Sequence, residues 1–422
     1  MRTGSKWGIS VRSQLFAACL TSVVLGIPAR LCAAPTYQVL HDFSSSAAGR
    51  GPIGGVLPGP GGQLFGVTLE GGSAGNGLAY ALIPPTGPGK WREIVLHNFS
   101  GGTDGAFPLT GFSMNAAGTL FAGVDASGGG QGTLYSLTPL NKRGTAFGEA
   151  TLFGFDGTDG DGPEGAPVVG SDGALYGVTL FGGSAGFGAI YKLTPPTAGQ
   201  TGWTQTVLHN FKGPDGKFPQ AGLIQGPDGI FYGTTTDGGA HNDGIVFQLA
   251  PPAGAEKTWR ETVLHSFAGG SDGINPFDAG VTLDKSGALF GTTALGGTFQ
   301  QGTAYRLTPP AKGSTSWTES ILRSFGNGSD GEEPLSKLAI GNDGTLYGTL
   351  SQGGTSADLG LIYSLTPAAG GAYTYQTLHA FKGGRDGGNP FGDLSVGTSG
   401  TIYGATDGDT QVGIATVYDI VP

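Results

Sequence analysis

Large apolar residues recur along this chain at one interval. The phenylalanine ending each Val-Leu-His-x-Phe-like segment falls at Phe43, Phe99, Phe155, Phe211, Phe267, Phe325 and Phe381, giving spacings of 56, 56, 56, 56, 58 and 56 residues. A second aromatic row runs through Phe65, Phe121, Tyr176, Tyr232, Phe290, Tyr347 and Tyr403. A third runs through Tyr80, Tyr135, Tyr191, Phe247, Tyr305, Tyr363 and Tyr418. The apolar runs around these anchors are short and bounded by turn residues, so each copy reads as four strands. In the fourth copy the strands are expected at about 221–225, 230–236, 245–249 and 260–267. Asp228-Gly229 turns the chain between the first two. The second turn residue is glycine in all seven copies, from Gly62 to Gly400, as expected where a tight hairpin requires positive φ.

Seven four-stranded antiparallel units fit a β-propeller, in which blades circle an axis and leave only short edges. An open β-solenoid is the rival, but it usually has shorter repeats and capping ends. The ends of the repeat array favour a ring. The array opens with a lone segment of the fourth type, 37–43, and ends on one of the third type, 414–420. If 37–43 completes the seventh blade, first and last segments pair and close the circle.

Composition narrows the alternatives. Glycine supplies 84 of 422 residues and proline 26, which disfavours long helices, and no Gly-X-Y period exists. Residues 1–13 carry Arg2, Lys6 and Arg12 without an acidic residue, an apolar run follows to about Pro28, and Leu31-Cys32-Ala33-Ala34 is small and cleavable. This is the order of an export signal. Residues 1–33 are therefore expected to be a signal peptide and 34–422 the propeller, exported to the periplasm or beyond. Both cysteines, Cys19 and Cys32, fall in the signal. Removing its four basic residues takes the net charge to 17 − 31 = −14. Nucleic acid and anionic membranes are poor partners for such a chain. No second apolar span is present, and a monomer is expected.

The segment Leu264-His265-Ser266-Phe267-Ala268-Gly269-Gly270-Ser271-Asp272-Gly273 is followed by Gly287-Ala288-Leu289-Phe290-Gly291-Thr292-Thr293 and then Gly296-Gly297. This pattern resembles the GloVer tandem repeat, named for Gloeobacter and Verrucomicrobia, over essentially all of 37–422. The resemblance implies exported, often surface-anchored bacterial proteins and does not itself imply an activity. Two departures stand out: no C-terminal anchoring segment is visible, and the loop 44–51 lacks the Gly-Gly-x-Asp-Gly motif.

Candidate chemistry lies mostly at repeated positions. His41, His97, His209, His265 and His379 share one position, with Gly154 and Arg323 read as standing there in the other copies. One histidine per blade on an outermost strand is spread around a rim, so convergence on one metal ion is not expected; hydrogen bonding to loop backbone or Asp is. Trp91, Trp203, Trp259 and Trp317, with Phe147 and Tyr373 at equivalent places, read as rim packing or as sugar platforms.

Asp104, Asp159, Asp215, Asp272, Asp330 and Asp386 each precede a glycine. They are turn formers in one reading and a carboxylate ring around the axial mouth in the other. The loops after strand two and after strand four share a face and hold 18 acidic against 5 basic residues. That acidic face is the expected binding surface for a protein, glycan or cation. Asp156, Asp159, Asp161 and Glu164 form a dense patch in which calcium is conceivable, although the full ligand spacing of a calcium loop is missing. No other cofactor is expected. His241, the one histidine outside the repeated position, stands between Asp237 and Asp243 on the same face. His241, Asp237 and Asp243 are the candidate catalytic residues, at the axial mouth of that face, if the propeller is instead a glycan lyase or hydrolase.

Overall fold

Each repeat folds into one four-stranded antiparallel sheet, seven in all, arranged as a seven-bladed propeller without an α-helix among the described residues. The computed structural model describes residues 34–124, 131–141, 144–328, 330–355, 357–408 and 414–422. The expected signal 1–33 with Cys19 and Cys32, and the charged residues Asp125, Lys142, Arg143 and Asp409, lie outside the described residues. Blades one to six span 57–98, 113–154, 161–210, 224–266, 282–324 and 339–380. Blade seven combines 395–421 with the first strand, Thr36–Phe43. That strand runs antiparallel to Ala415–Val421, from Thr36 opposite Val421 to Phe43 opposite Ala415. The ring closes as the sequence implies.

Blade four shows the local logic. Its strands are Ile224–Gln225, Phe231–Thr235, Ile245–Ala250 and Arg260–Ser266. The innermost is shorter than the expected 221–225. Residues 221–223 instead run beside the axis, where adjacent blades touch through backbone: a Cβ added to Gly165 would lie 2.1 Å from the Gly222 nitrogen. Blade three differs, with an innermost strand of nine residues, Asp161–Val169.

The aromatic rows are the material between blades. The outer-strand phenylalanine of one blade meets the third-strand ring of the next edge-on: Phe99–Tyr135 at 5.1 Å, Phe155–Tyr191 at 5.2 Å, Phe267–Tyr305 at 5.2 Å. Such pairs add about 0.5–1.5 kcal/mol beyond their buried area. The glycine after the second-row aromatic makes room for this layer; a Cβ on Gly291 would sit 2.4 Å from the Tyr305 hydroxyl. The tryptophans pack likewise, Trp317 against Tyr232 at 6.3 Å and Trp203 against Phe121 at 6.4 Å.

Every outer strand carries one extra residue in its ladder, a β-bulge at Leu40, Leu96, Leu152, Leu208, Leu264, Leu322 and Leu378. A bulge re-aims the residue that follows it. That residue is the repeated histidine. In blade two the register puts Phe153, not Gly154, at this position. The misreading has a simple cause: counted back from Phe155, Gly154 is one residue short of the two that separate His97 from Phe99.

Candidate functional site

Two places gather polar side chains: the junctions between blades on the rim, and the mouth of the axis. At the rim the bulge turns four of the five repeated histidines toward the Asp-Gly loop that leaves their own strand. His97, His209, His265 and His379 place Nε2 at 3.0, 3.1, 2.9 and 3.1 Å from Asp104, Asp215, Asp272 and Asp386. Each aspartate also accepts from a loop amide, that of Ser100, Lys212, Ala268 or Lys382. Burial holds the His209 and His379 imidazoles below their usual pKa against the pull of their aspartates. Blade five replaces the pair by Arg323 and the buried Asp330. The repeated aspartates therefore sit at blade junctions, not in a ring around the axial mouth.

A third residue joins from the neighbouring blade, two positions after the tryptophan: Glu93, Glu149, Gln205, Glu261, Glu319, Tyr375 and, in the closing strand, Tyr37. His41 Nε2 lies 3.1 Å from Glu93 and His265 Nε2 lies 3.8 Å from Glu319. Tyr37 stacks on His379 at 3.7 Å and donates to the Asp386 carbonyl. Gln205 donates to the Asp159 carbonyl. Burial, then the neighbouring aspartate, raises the carboxyl pKa of Glu261 to about 7 and lifts that of Glu319 well above the carboxylate range. This third position recurs at the same interval as the aromatics, so a column-by-column alignment of the copies would have exposed it.

The other sequence candidates separate. In the patch at 156–164, the Asp156 amide donates to Asp159, while Asp156 accepts from the Thr158 amide and hydroxyl. Asp161 and Glu164 belong to the innermost strand of blade three instead. His241 is exposed, and no hydrogen bond or ion pair joins it to Asp237 or Asp243. The loops after strands two and four do meet on one face, pairing backbone at Arg50–Glu70, Lys217–Asp237 and Glu332–Gln352.

The mouth is a cavity of about 710 Å³ around the axis. A proline follows each Asp-Gly loop, and the chain then turns inward. Ala279 and Ser336 accept the same bond from the preceding blade, from Thr234 and Thr292, which aligns the copies here. The ring just before them reads Ile53, Leu109, Glu164, Gln220, Asp278, Leu335 and Phe391, all lining the cavity. Blades three to five are polar and blades six, seven, one and two apolar. Two residues further on, most copies have Gly or Ala, but blades six and seven have Lys337 and Asp393. Asp393 accepts from the Lys337 amide at 2.9 Å and lies 3.3 Å from its Nζ.

Asp278 departs furthest from the repeat. Its blade has one extra residue, 14 rather than 13 between the proline (Pro276) and the second-row aromatic (Phe290), against Pro219 and Tyr232 in blade four. Its φ is 49°, a conformation costing about 1–2 kcal/mol for a non-glycine residue. The residue is partly buried, it lines the cavity, and no hydrogen bond or ion pair among the described residues satisfies its carboxyl. Burial, then the charge of Asp393, raises its pKa to about 7. Three carboxyls and one ammonium leave the mouth acidic. None of His241, Asp237 and Asp243 lines it.

Fold and mouth define a class: a seven-bladed β-propeller with an amphipathic, acid-lined axial pocket. The chain belongs to the Gloeobacter/Verrucomicrobia repeat family, whose profile matches residues 28–202 and 199–420. Among solved structures it is similar to a protein assigned as a 6-phosphogluconolactonase from Bacteroides uniformis, with 14% identity over 77% of this chain and 83% of that one and a TM-score of 0.49. It is also similar to a luciferin-regenerating enzyme (12% identity, 74% and 90% covered, TM-score 0.44). A third is the NanB sialidase of Streptococcus pneumoniae (12% identity, 91% and 70% covered, TM-score 0.45). No curated protein matches the chain. No helix among the described residues is long and apolar enough to cross a membrane.

Proposed function

We propose that this chain is an exported binding propeller whose axial mouth takes a small ligand with a cationic amine and an apolar body. The observation that carries this reading is the Asp278 carboxyl, enclosed in the cavity and without a protein partner. A buried carboxylate without a partner is costly, and an opposite charge offsets that cost. The amine would face Glu164, Gln220 and Asp278, and the apolar body Leu335, Phe391 and Ile53. A cation favours the ionised form of Asp278, so binding releases a proton when the empty site is protonated. Affinity therefore rises as pH climbs through about 7.

Isothermal titration with benzylamine, an aliphatic diamine and a neutral hexose tests this. The amines should bind more tightly at about pH 8 than at about pH 6, and Asp278→Asn should weaken them about tenfold or more. Equal binding to wild type and variant, or binding of the hexose alone, would overturn it.

The carboxyls of Asp278 and Asp393 favour a second reading, acid–base turnover of the bound ligand, because two carboxyls lining one cavity can divide the roles of acid and base. A turnover rate with a bell-shaped pH profile, lost in both Asp278→Asn and Asp393→Asn, would support it.

A further inference from the structure

The rim junctions differ in a way that packing alone leaves unexplained. At the junctions of blades three with four and four with five, two carboxylates face one imidazole: His209, Asp215 and Glu261, then His265, Asp272 and Glu319. In each set the donor atoms all lie within 4.8 Å of one another. The next junction, blade five with six, has the same aspartate but puts the Arg323 guanidinium where the histidine stands, with Tyr375 in place of the glutamate. There the protein supplies a fixed positive charge and removes one negative charge. The two glutamate junctions do neither. The Oε1 atom of Glu261 is shut off from solvent and has no hydrogen-bond partner, and that of Glu319, equally enclosed, stands 3.8 Å from the His265 nitrogen and against the Asp272 carboxylate.

We propose that these two junctions each bind one divalent transition-metal ion of the zinc class, bridging adjacent blades. One imidazole nitrogen and two carboxylate oxygens form a donor set suited to such ions, whereas calcium prefers an all-oxygen shell of six or more. Around a tetrahedral ion with bonds of about 2.0–2.1 Å, neighbouring ligands stand about 3.4 Å apart. The His265 nitrogen lies 2.9 Å from Asp272 and 3.8 Å from Glu319, so small side-chain shifts complete that edge length. Three protein ligands leave an open position for water. Two blades supply each set, so the ion ties them together and stabilises the folded, packed blades over the unfolded chain.

The test uses the full chain, stripped with chelator and dialysed, and titrated with Zn²⁺ by calorimetry and with Co²⁺ by visible absorption. Two equivalents should bind, with the strong absorption of low-coordinate cobalt, and the melting temperature should rise. Glu261→Gln and Glu319→Gln, near-isosteric changes, should each remove one equivalent, and the double variant both; far-ultraviolet circular dichroism shows that each still folds. Glu149→Gln, whose carboxylate accepts instead from the Thr151 hydroxyl, should remove none. Failure of the wild type to take up either ion, or a stoichiometry unchanged in the folded double variant, would overturn the proposal.

Discussion

The rim and the mouth of this propeller are built from the same seven copies, yet they use repetition in opposite ways. At the rim one device returns in blade after blade: a leucine bulge, a re-aimed histidine or arginine, an aspartate that holds a loop. At the mouth, equivalent positions carry Ile, Leu, Glu, Gln, Asp, Leu and Phe. A position where any repeat can stand in for any other serves closure of the ring. A position where each repeat brings different chemistry builds an asymmetric pocket from a symmetric scaffold. The copies thus act as controls for one another.

That contrast can be broken by experiment. The largest effect is expected from deleting residues 34–45, which removes the strand completing blade seven and with it Tyr37 at the last junction. The loss should reach about 5 kcal/mol or more, the scale of a domain's whole stability; a melting curve unchanged from wild type would show that the ring does not need its closing strand. Next comes Arg323→Ala, which leaves Asp330, 6% exposed, without its counter-charge. About 3 kcal/mol should be lost in chemical denaturation, and Asp330→Asn in the same chain should restore part of it.

Gly291→Ala should cost about 2 kcal/mol by overpacking. Combining it with Tyr305→Phe should recover only a small part of that, since the added Cβ would lie 2.4 Å from the hydroxyl but also 2.6 Å from the ring carbon that carries it. Blade four has Phe247 in this place and still keeps Gly233, whose Cβ would meet the Phe247 ring at 2.6 Å. A double variant as stable as the wild type would show that the ring itself does not require the glycine.

A smaller and pH-dependent effect marks the mouth. The folded pKa of Asp278, about 7, lies above its unfolded value near 4. Between those values the unfolded chain ionises while the folded one stays protonated, so stability falls as pH rises and levels off above about 7. Asp278→Asn should abolish this fall, a gain of about 1–2 kcal/mol at neutral pH once solvent in the cavity is allowed for. A parallel pH profile in the two proteins would remove the mouth's special character. His241→Ala should change stability by less than about 0.5 kcal/mol and leave amine titration unaltered.

The fold was legible because three aromatic rows share one interval and because the array begins and ends on complementary strands. The histidine–aspartate pairing was legible too, since both positions repeat. What escaped notice depends on register. A bulge adds a residue without a sequence mark, and only the ladder reveals that Leu264 makes His265 face sideways. The junction glutamates come from the following copy, so a reading confined to one repeat does not bring Glu319 to His265. Asp278 was hidden by the single extra residue in its blade, which displaces it from the column holding Gln220.

The closing strand also sets a timetable. Val39 is made 379 residues before its register partner Tyr418, by 418 − 39. At about 5–20 residues per second of synthesis, roughly 20–75 s separate the two. During that interval the first strand emerges with nothing to pair with, an open edge of the kind that invites the wrong neighbour. The ring is therefore the last thing the chain can finish, and shielding residues 36–43 while the rest is being made should raise the yield of folded protein.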